Sequence, residues 1–292
     1  MIYPMRYLKS PRSLMVLAML IFGTIPIFVK HLPLSSGEIA LYRAILATLS
    51  VGGFLLIGKQ HLPWRTIKKS LFLLLLSGIA LGFNWILLFE AYNYTTVSTA
   101  TLCYYFAPVL VTILSTLLFK ERLTRLQILC FIMSTAGLVL ITGVGNQGVN
   151  PIGIALGLGA AVLYATVVLI NKALSEIPGI HRTFLQFATA SLTLLPYVAL
   201  TGGFHLSALN GTGWLSLLTL GLIHTGVTYC LYFSSVGKLP GQSVALISYL
   251  DPLLAVLLSV LVLHETMTIT QIIGGIMILG FSLLNEWISS KR

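Results

Sequence analysis

Ten apolar runs, each close to the length of a bilayer crossing, leave this chain few possible folds. They cover residues 13–31, 37–58, 70–93, 97–119, 125–143, 151–172, 181–200, 213–236, 241–263 and 269–288. A spanning helix needs about 17–25 mainly apolar residues. Lipid offers the backbone no hydrogen-bond partners, so each run must satisfy its own N–H and C=O groups as a helix. Composition enters where it excludes a water-facing surface: 8% of the residues are charged, against about 25% in a soluble domain. The expected class is all-α integral membrane, multi-pass, with the lipid bilayer as its main partner.

Helix punctuation sits at the ends of the runs. Ser10-Pro11 and Asn150-Pro151 place a capping side chain before a proline at the first helical position. Thr124-x-x-Gln127 and Thr268-x-x-Gln271 match the capping box. The second pair also exposes a duplication. Leu102-Cys103-Tyr104-Tyr105-Phe106-Ala107-Pro108 returns as Leu246-Ile247-Ser248-Tyr249-Leu250-Asp251-Pro252, an offset of 144 (252 − 108), which also separates Glu121 from Glu265 and Gln127 from Gln271. Two halves, 1–146 and 147–292, each hold five runs. An odd number of spans per half gives copies of opposite orientation, so the expected architecture is ten transmembrane helices as two inverted five-helix repeats.

The basic residues orient it. With the N-terminus in the cytoplasm, Arg6, Lys9, Arg12, Lys59, Arg65, Lys68, Lys69, Lys120, Arg122, Arg125, Lys172, Arg182, Lys238, Lys291 and Arg292 fall inside, Lys30 falls outside and Arg43 lies within a span. Cytoplasmic loops carry the excess of Lys and Arg, so the split predicts N-in and C-in. It explains why Lys120, Arg122 and Arg125 become His264, Thr266 and Ile269 in the second copy, whose link faces outward. The net charge of +10 therefore reports topology rather than nucleic-acid binding. Arg6, Lys9 and Arg12 before an apolar run resemble a leader, but with no small-residue cleavage site the run reads as a retained first helix.

The five-plus-five layout, Pro108 and Pro252 within spans, Lys120-Glu121-Arg122-Leu123-Thr124 and His264-Glu265-Thr266-Met267-Thr268 each followed by Gln, and Tyr42-Arg43-Ala44 in the second run resemble the EamA-type branch of the drug/metabolite transporter superfamily over nearly the whole chain. The resemblance implies a secondary transporter in the cell membrane that moves small metabolites such as amino acids, with export the expected direction and protons a candidate coupling partner. It specifies the architecture and hardly the substrate. His264, Thr266 and Asp251 depart from the pattern.

Ionisable residues inside a span cost about 2.5–3.5 kcal/mol on insertion scales, so each one points to function or to a pairing. Asp251 lies ten residues into its run, about 15 Å deep at 1.5 Å per residue, beside a helix-breaking proline; it is the candidate for proton coupling or for holding a substrate amine. Arg43 and Glu90 have similar depths and form a candidate ion pair between the second and third runs, either pinning them or opening during gating; Arg43 facing a substrate carboxylate is the other reading. Glu38 is expected to be solvated at the outer boundary. Lys30 and Lys172 are expected to snorkel, and Glu121 and Glu265 to serve helix ends. Asn84, Trp85, Tyr104, Tyr105, Thr228, Tyr229, Ser248 and Tyr249 lie at mid-depth, away from the interfacial belts where aromatics usually anchor. They are the candidate substrate wall, with ordinary interhelical hydrogen bonding as the alternative. His224 is a candidate gating residue or a packing histidine. Pro26, Pro108, Pro196 and Pro252 are candidate kinks. Gly153, Gly157 and Gly159, with Gly274, Gly275 and Gly280, mark close helix approach or a homodimer face.

No enzyme constellation stands out. The six histidines are scattered, with no H-E-x-x-H, and there is no G-x-x-x-x-G-K-[ST] loop. Cys103, Cys130 and Cys230 have no ligand spacing. No cofactor and no metal is expected. The rival readings are a channel-like facilitator and a membrane receptor without active coupling.

Overall fold

The computed structural model describes residues 10–119, 123–142 and 150–289; Arg6, Lys9, Lys120, Glu121, Arg122, Lys291 and Arg292 lie outside them. Every regular element among the described residues is helical. In chain order we label α1 (Pro11–Gly23 continued by Ile25–Lys30), α2 (Ser36–Ile57), α3 (Leu71–Tyr94), α4 (Val97–Tyr104 continued by Ala107–Phe119), α5 (Arg125–Thr142), α6 (Pro151–Ala173), α7 (Gly179–Thr201), α8 (Gly211–Leu218 through Thr219–Val227 to Thr228–Val236), α9 (Gly241–Ser248 continued by Leu250–Leu261) and α10 (Ile269–Ser289). A six-residue helix, Trp64–Lys69, precedes α3.

Eight of these are long and apolar enough to cross a membrane, and Arg125–Ile141 and Leu246–Leu261 are shorter apolar stretches. The chain is therefore a multi-pass membrane protein. Two of the ten expected runs, in α5 and α9, fall short of full spanning length among the described residues, and several helices are interrupted. α4 stops at Tyr104 and resumes at Ala107, while α9 stops at Ser248 and resumes at Leu250. Both breaks fall just ahead of a proline, which lacks the N–H its helix would use and crowds the preceding turn. α1 breaks at Thr24, with Pro26 opening the next piece. Pro196 stays inside the continuous α7, so of the four expected kinks this one leaves its helix unbroken.

The caps form as the sequence requires. Ser10 accepts from the Ser13 N–H and Asn150 from the Ile152 N–H. In both boxes the Thr side chain accepts from the Gln N–H (3.2 Å) while the Gln carbonyl accepts from the Thr N–H, at 3.0 Å for Thr124 and 2.9 Å for Thr268. A further box, Ser35 with Glu38, opens α2.

Small residues set the closest crossings. α3 packs on α6, α2 and α3 pack on α7, α1 and α2 on α8, α4 on α6 and α9, α1 on α9, and α5 on α10. At the α5–α10 crossing, a Cβ on Gly137 would lie 2.7 Å from the Gly274 carbonyl oxygen, and one on Gly274 2.5 Å from that of Gly137. Gly153 and Gly157 of α6 meet Thr95 and Ala100 across the interface with α4. Gly275 abuts Leu102, whereas Gly280 faces open space.

Candidate functional site

Four broken or loosened helices, α1, α4, α8 and α9, bring their irregular backbone together in pairs, α1 with α8 and α4 with α9. α8 widens to π-helical geometry over Thr219–Val227, a form that recurs at functional sites. Its wide turn presents two adjacent side chains to different neighbours. His224 Nε2 lies 2.7 Å from Thr24 Oγ1 at the α1 break, with Nδ1 3.1 Å from the Thr219 carbonyl and its ring 4.7 Å from Phe28. Thr225 accepts the Arg43 Nε–H at 2.7 Å.

Arg43 is buried, at 4% exposure, and its guanidinium carbon lies 4.3 Å over the Trp85 ring and 5.6 Å from that of Phe89. Face-on aromatic contact offsets part of the lost hydration of a buried cation. Only Nε is committed to Thr225; the two terminal nitrogens of the fork meet no acceptor among the described residues. Tyr229, Tyr104, Tyr92 and Asp251 all lie within its electrostatic range.

Asp251 follows the α9 break and accepts the Tyr105 hydroxyl at 2.5 Å. Tyr105 itself belongs to the break in α4, so the two interruptions meet through this hydrogen bond. Tyr104 stands 5.5 Å from Tyr105 and 5.3 Å from Tyr164 of α6. Tyr249 stands 6.5 Å from Tyr105. On the Arg43 side, Tyr229 packs 5.2 Å from Phe22 and 5.1 Å from Phe187, which is 5.7 Å from Trp85. Asp251, Tyr104, Tyr105, Tyr164 and Tyr229 each retain partial exposure. One cation and one carboxylate thus lie near the same tyrosines, within electrostatic range of each other but without an ion pair between them.

The other expected residues divide differently. Asn84 donates to the Ala160 carbonyl at 2.6 Å and ties α3 to α6, its Oδ1 left without a partner. The Thr228 hydroxyl donates to the Ile223 carbonyl and that of Ser248 to the Val244 carbonyl, both within their own helices. The expected Arg43–Glu90 pair is not formed. Glu90 accepts from Ser36 at 2.6 Å and Asn93 at 3.3 Å, because similar depth does not place two residues on facing sides of their helices. Glu38 is not solvated either: it is 1% exposed and accepts the His205 backbone N–H at 2.6 Å, with His205 Nδ1 3.2 Å away. Lys30 does more than snorkel, donating to the Tyr92 carbonyl. Glu265 reaches across to the first turn of α4, accepting from the N–H groups of Val97 (2.7 Å) and Ser98 (3.1 Å). Four residues of the region escaped the sequence reading: Thr225, Tyr164, Phe187 and Glu286. Only Glu286 carried a signal, as an ionisable residue in the last apolar run.

A separate groove of about 250 Å³ lies between Val109, Thr112, Leu123, Gln127, Phe131 and Asn285. Its walls are apolar and no charged residue lines it. No group of His, Cys, Asp and Glu among the described residues could hold a metal ion.

The EamA-like transporter family matches residues 11–143 and 151–286. An uncharacterized transporter YxxF of Bacillus subtilis is 31% identical over 89% of this chain and 86% of its own length. An uncharacterized transporter of Archaeoglobus fulgidus is 28% identical, covering 94% and 96%. Protein PecM of Dickeya dadantii is 24% identical, covering 85% and 84%. A solved crystal structure has the same fold, with a TM-score of 0.62 at 20% identity over 94% of this chain and 97% of that one.

Proposed function

This chain belongs to the EamA-like transporter family, and we propose that it is a ten-span secondary transporter of two inverted five-helix repeats that exports a small amphipathic metabolite, an amino acid or a close relative, from the cell. The observation that carries the reading is that Arg43 and Asp251 lie near the same tyrosines, within electrostatic range of each other but not ion-paired. A fork of two uncommitted N–H donors suits a carboxylate, a carboxylate suits an ammonium group, and aromatic faces suit both the cation and an apolar side chain. A zwitterion satisfies both ends at once. Charge left unmatched inside a membrane protein is costly, so the substrate serves as counter-ion to each group.

The packing pattern supports alternating access. Replacing each helix by its counterpart five later exchanges α3·α6 with α8·α1, α4·α6 with α9·α1, and α3·α7 with α8·α2. All of these contacts occur. That self-matching pattern supports two units rocking about a shared site, the mechanism common to inverted-repeat carriers. The breaks at Tyr104 and Ser248, at the offset of 144, supply the places where helices bend. Asp251 is the proposed proton-coupling group.

Purified protein in proteoliposomes tests this directly. Amino acids preloaded inside should drive uptake of a labelled amino acid by counterflow, and the rate should saturate. Linear, unsaturable flux favours a facilitator, and binding without flux favours a receptor.

A further inference from the structure

The link between α2 and α3 carries a cationic face that no acid answers. Residues 58–70 hold Lys59, Arg65, Lys68 and Lys69 and no Asp or Glu. Three of the four stand on the six-residue helix Trp64–Lys69. Arg65, Lys68 and Lys69 are spaced i, i+3 and i+4, so they share one side of that helix. Ile67, two residues past Arg65, lies about 200° round the axis from it and is 2% exposed. It packs in one cluster with Leu74 of α3, Ile170 of α6, and Leu174 and Ile177 of the link that follows α6. The helix is thus fixed through Ile67, with its three cations on the opposite side. All three are exposed, and none makes a hydrogen bond or ion pair among the described residues.

The flanking helices set its depth. α2 ends at Ile57, α3 begins at Leu71, and both are long and apolar enough to cross a membrane, so the helix between them lies at a membrane face. Aromatic side chains stay exposed in this link and at the start of α3, Trp64 at 57% and Phe72 at 76%. Trp at headgroup level is a usual interfacial anchor.

We infer that the face formed by Arg65, Lys68 and Lys69 binds the headgroup of an anionic phospholipid, with Trp64, one turn from Lys68, against the glycerol and upper acyl chain. Ammonium and guanidinium groups donate to phosphate oxygens, and the guanidinium fork can donate to two at once. Basic clusters directly beside a spanning helix attract anionic lipid. The source is the bilayer rather than free phosphate, because a soluble anion would leave Trp64 and Phe72 in water. Ile67 ties the same helix to α3 and α6, so a bound headgroup also bears on the contact between those two spans. The site stands whatever solute the chain moves.

Lipid competition read by tryptophan quenching tests the site. The purified full chain is reconstituted in mixtures of phosphatidylcholine with brominated-chain phosphatidylglycerol, and in the converse mixtures. The Trp64 signal is wild type minus Trp64→Phe. Phosphatidylglycerol should outcompete phosphatidylcholine at Trp64 by about tenfold or more, and each of Arg65→Gln, Lys68→Gln and Lys69→Gln should cut that preference by about fivefold. The triple variant should abolish it. Lys68→Arg should keep it, and so should Arg125→Gln combined with Lys238→Gln, which removes charge from other links. Equal affinity of the two lipids in wild type, an undiminished preference in the triple variant, or a comparable loss in the Arg125→Gln/Lys238→Gln control would each overturn the site. Inorganic phosphate at matched ionic strength should leave the preference intact; displacement by it would overturn the assignment to lipid. If the triple variant does not fold, the single variants decide in its place.

Discussion

Arg43 shows how much one residue's role depends on its neighbours. Its depth was legible from the sequence, but its partner was not. Glu90 stood at the right height, yet the hydroxyl of Thr225, 182 residues away in sequence, takes the Nε–H. The reason is physical: helices apolar on every side carry no amphipathic stripe to fix which face turns inward. Two predictions belong at this scale. Thr225→Val should leave a charged donor unsatisfied and destabilise the fold by about 1.5–3 kcal/mol, read as a lowered unfolding midpoint in detergent. Asp251→Asn should abolish uptake driven by a pH gradient while keeping part of the exchange activity. Wild-type gradient dependence in that variant would remove Asp251 from the coupling step.

Elements were far easier to read than contacts. Caps at Ser10, Thr124, Asn150 and Thr268 need only residues within one turn of each other, so sequence spacing suffices to find them. The breaks in α4 and α9 announce themselves through Pro108 and Pro252. The π-helical turn of α8 carries no comparable local mark, because its cause lies in packing: Gly221 and Gly226 abut Leu46 and Ser50 of α2. The α5–α10 crossing is the element-scale test. Gly137→Ala forces a methyl to 2.7 Å from the Gly274 carbonyl oxygen, closer than packed atoms tolerate. Such overpacking costs about 1–3 kcal/mol. The unfolding midpoint should fall, while Gly280→Ala, which faces open space, should leave it unchanged.

At the scale of the molecule, charge placement makes the topology testable. Arg65→Cys in the 58–70 link and Leu206→Cys in the 202–210 link should behave oppositely toward a membrane-impermeant maleimide applied to intact cells. The second should label and the first should not, since the proposed arrangement puts them on opposite sides. Labelling of both from outside would refute the ten-span count. The same arrangement puts Glu265 at the outer face, gripping the start of α4 through the main-chain N–H groups of Val97 and Ser98. The two main-chain donors survive substitution at either position, proline apart, but the Ser98 hydroxyl also donates to Glu265, at 3.1 Å. Only a change at Glu265 removes all three bonds in one step. Exchanging Ser98 thus trims the outer seam by one bond to Glu265, whereas only loss of the Glu265 carboxylate opens it.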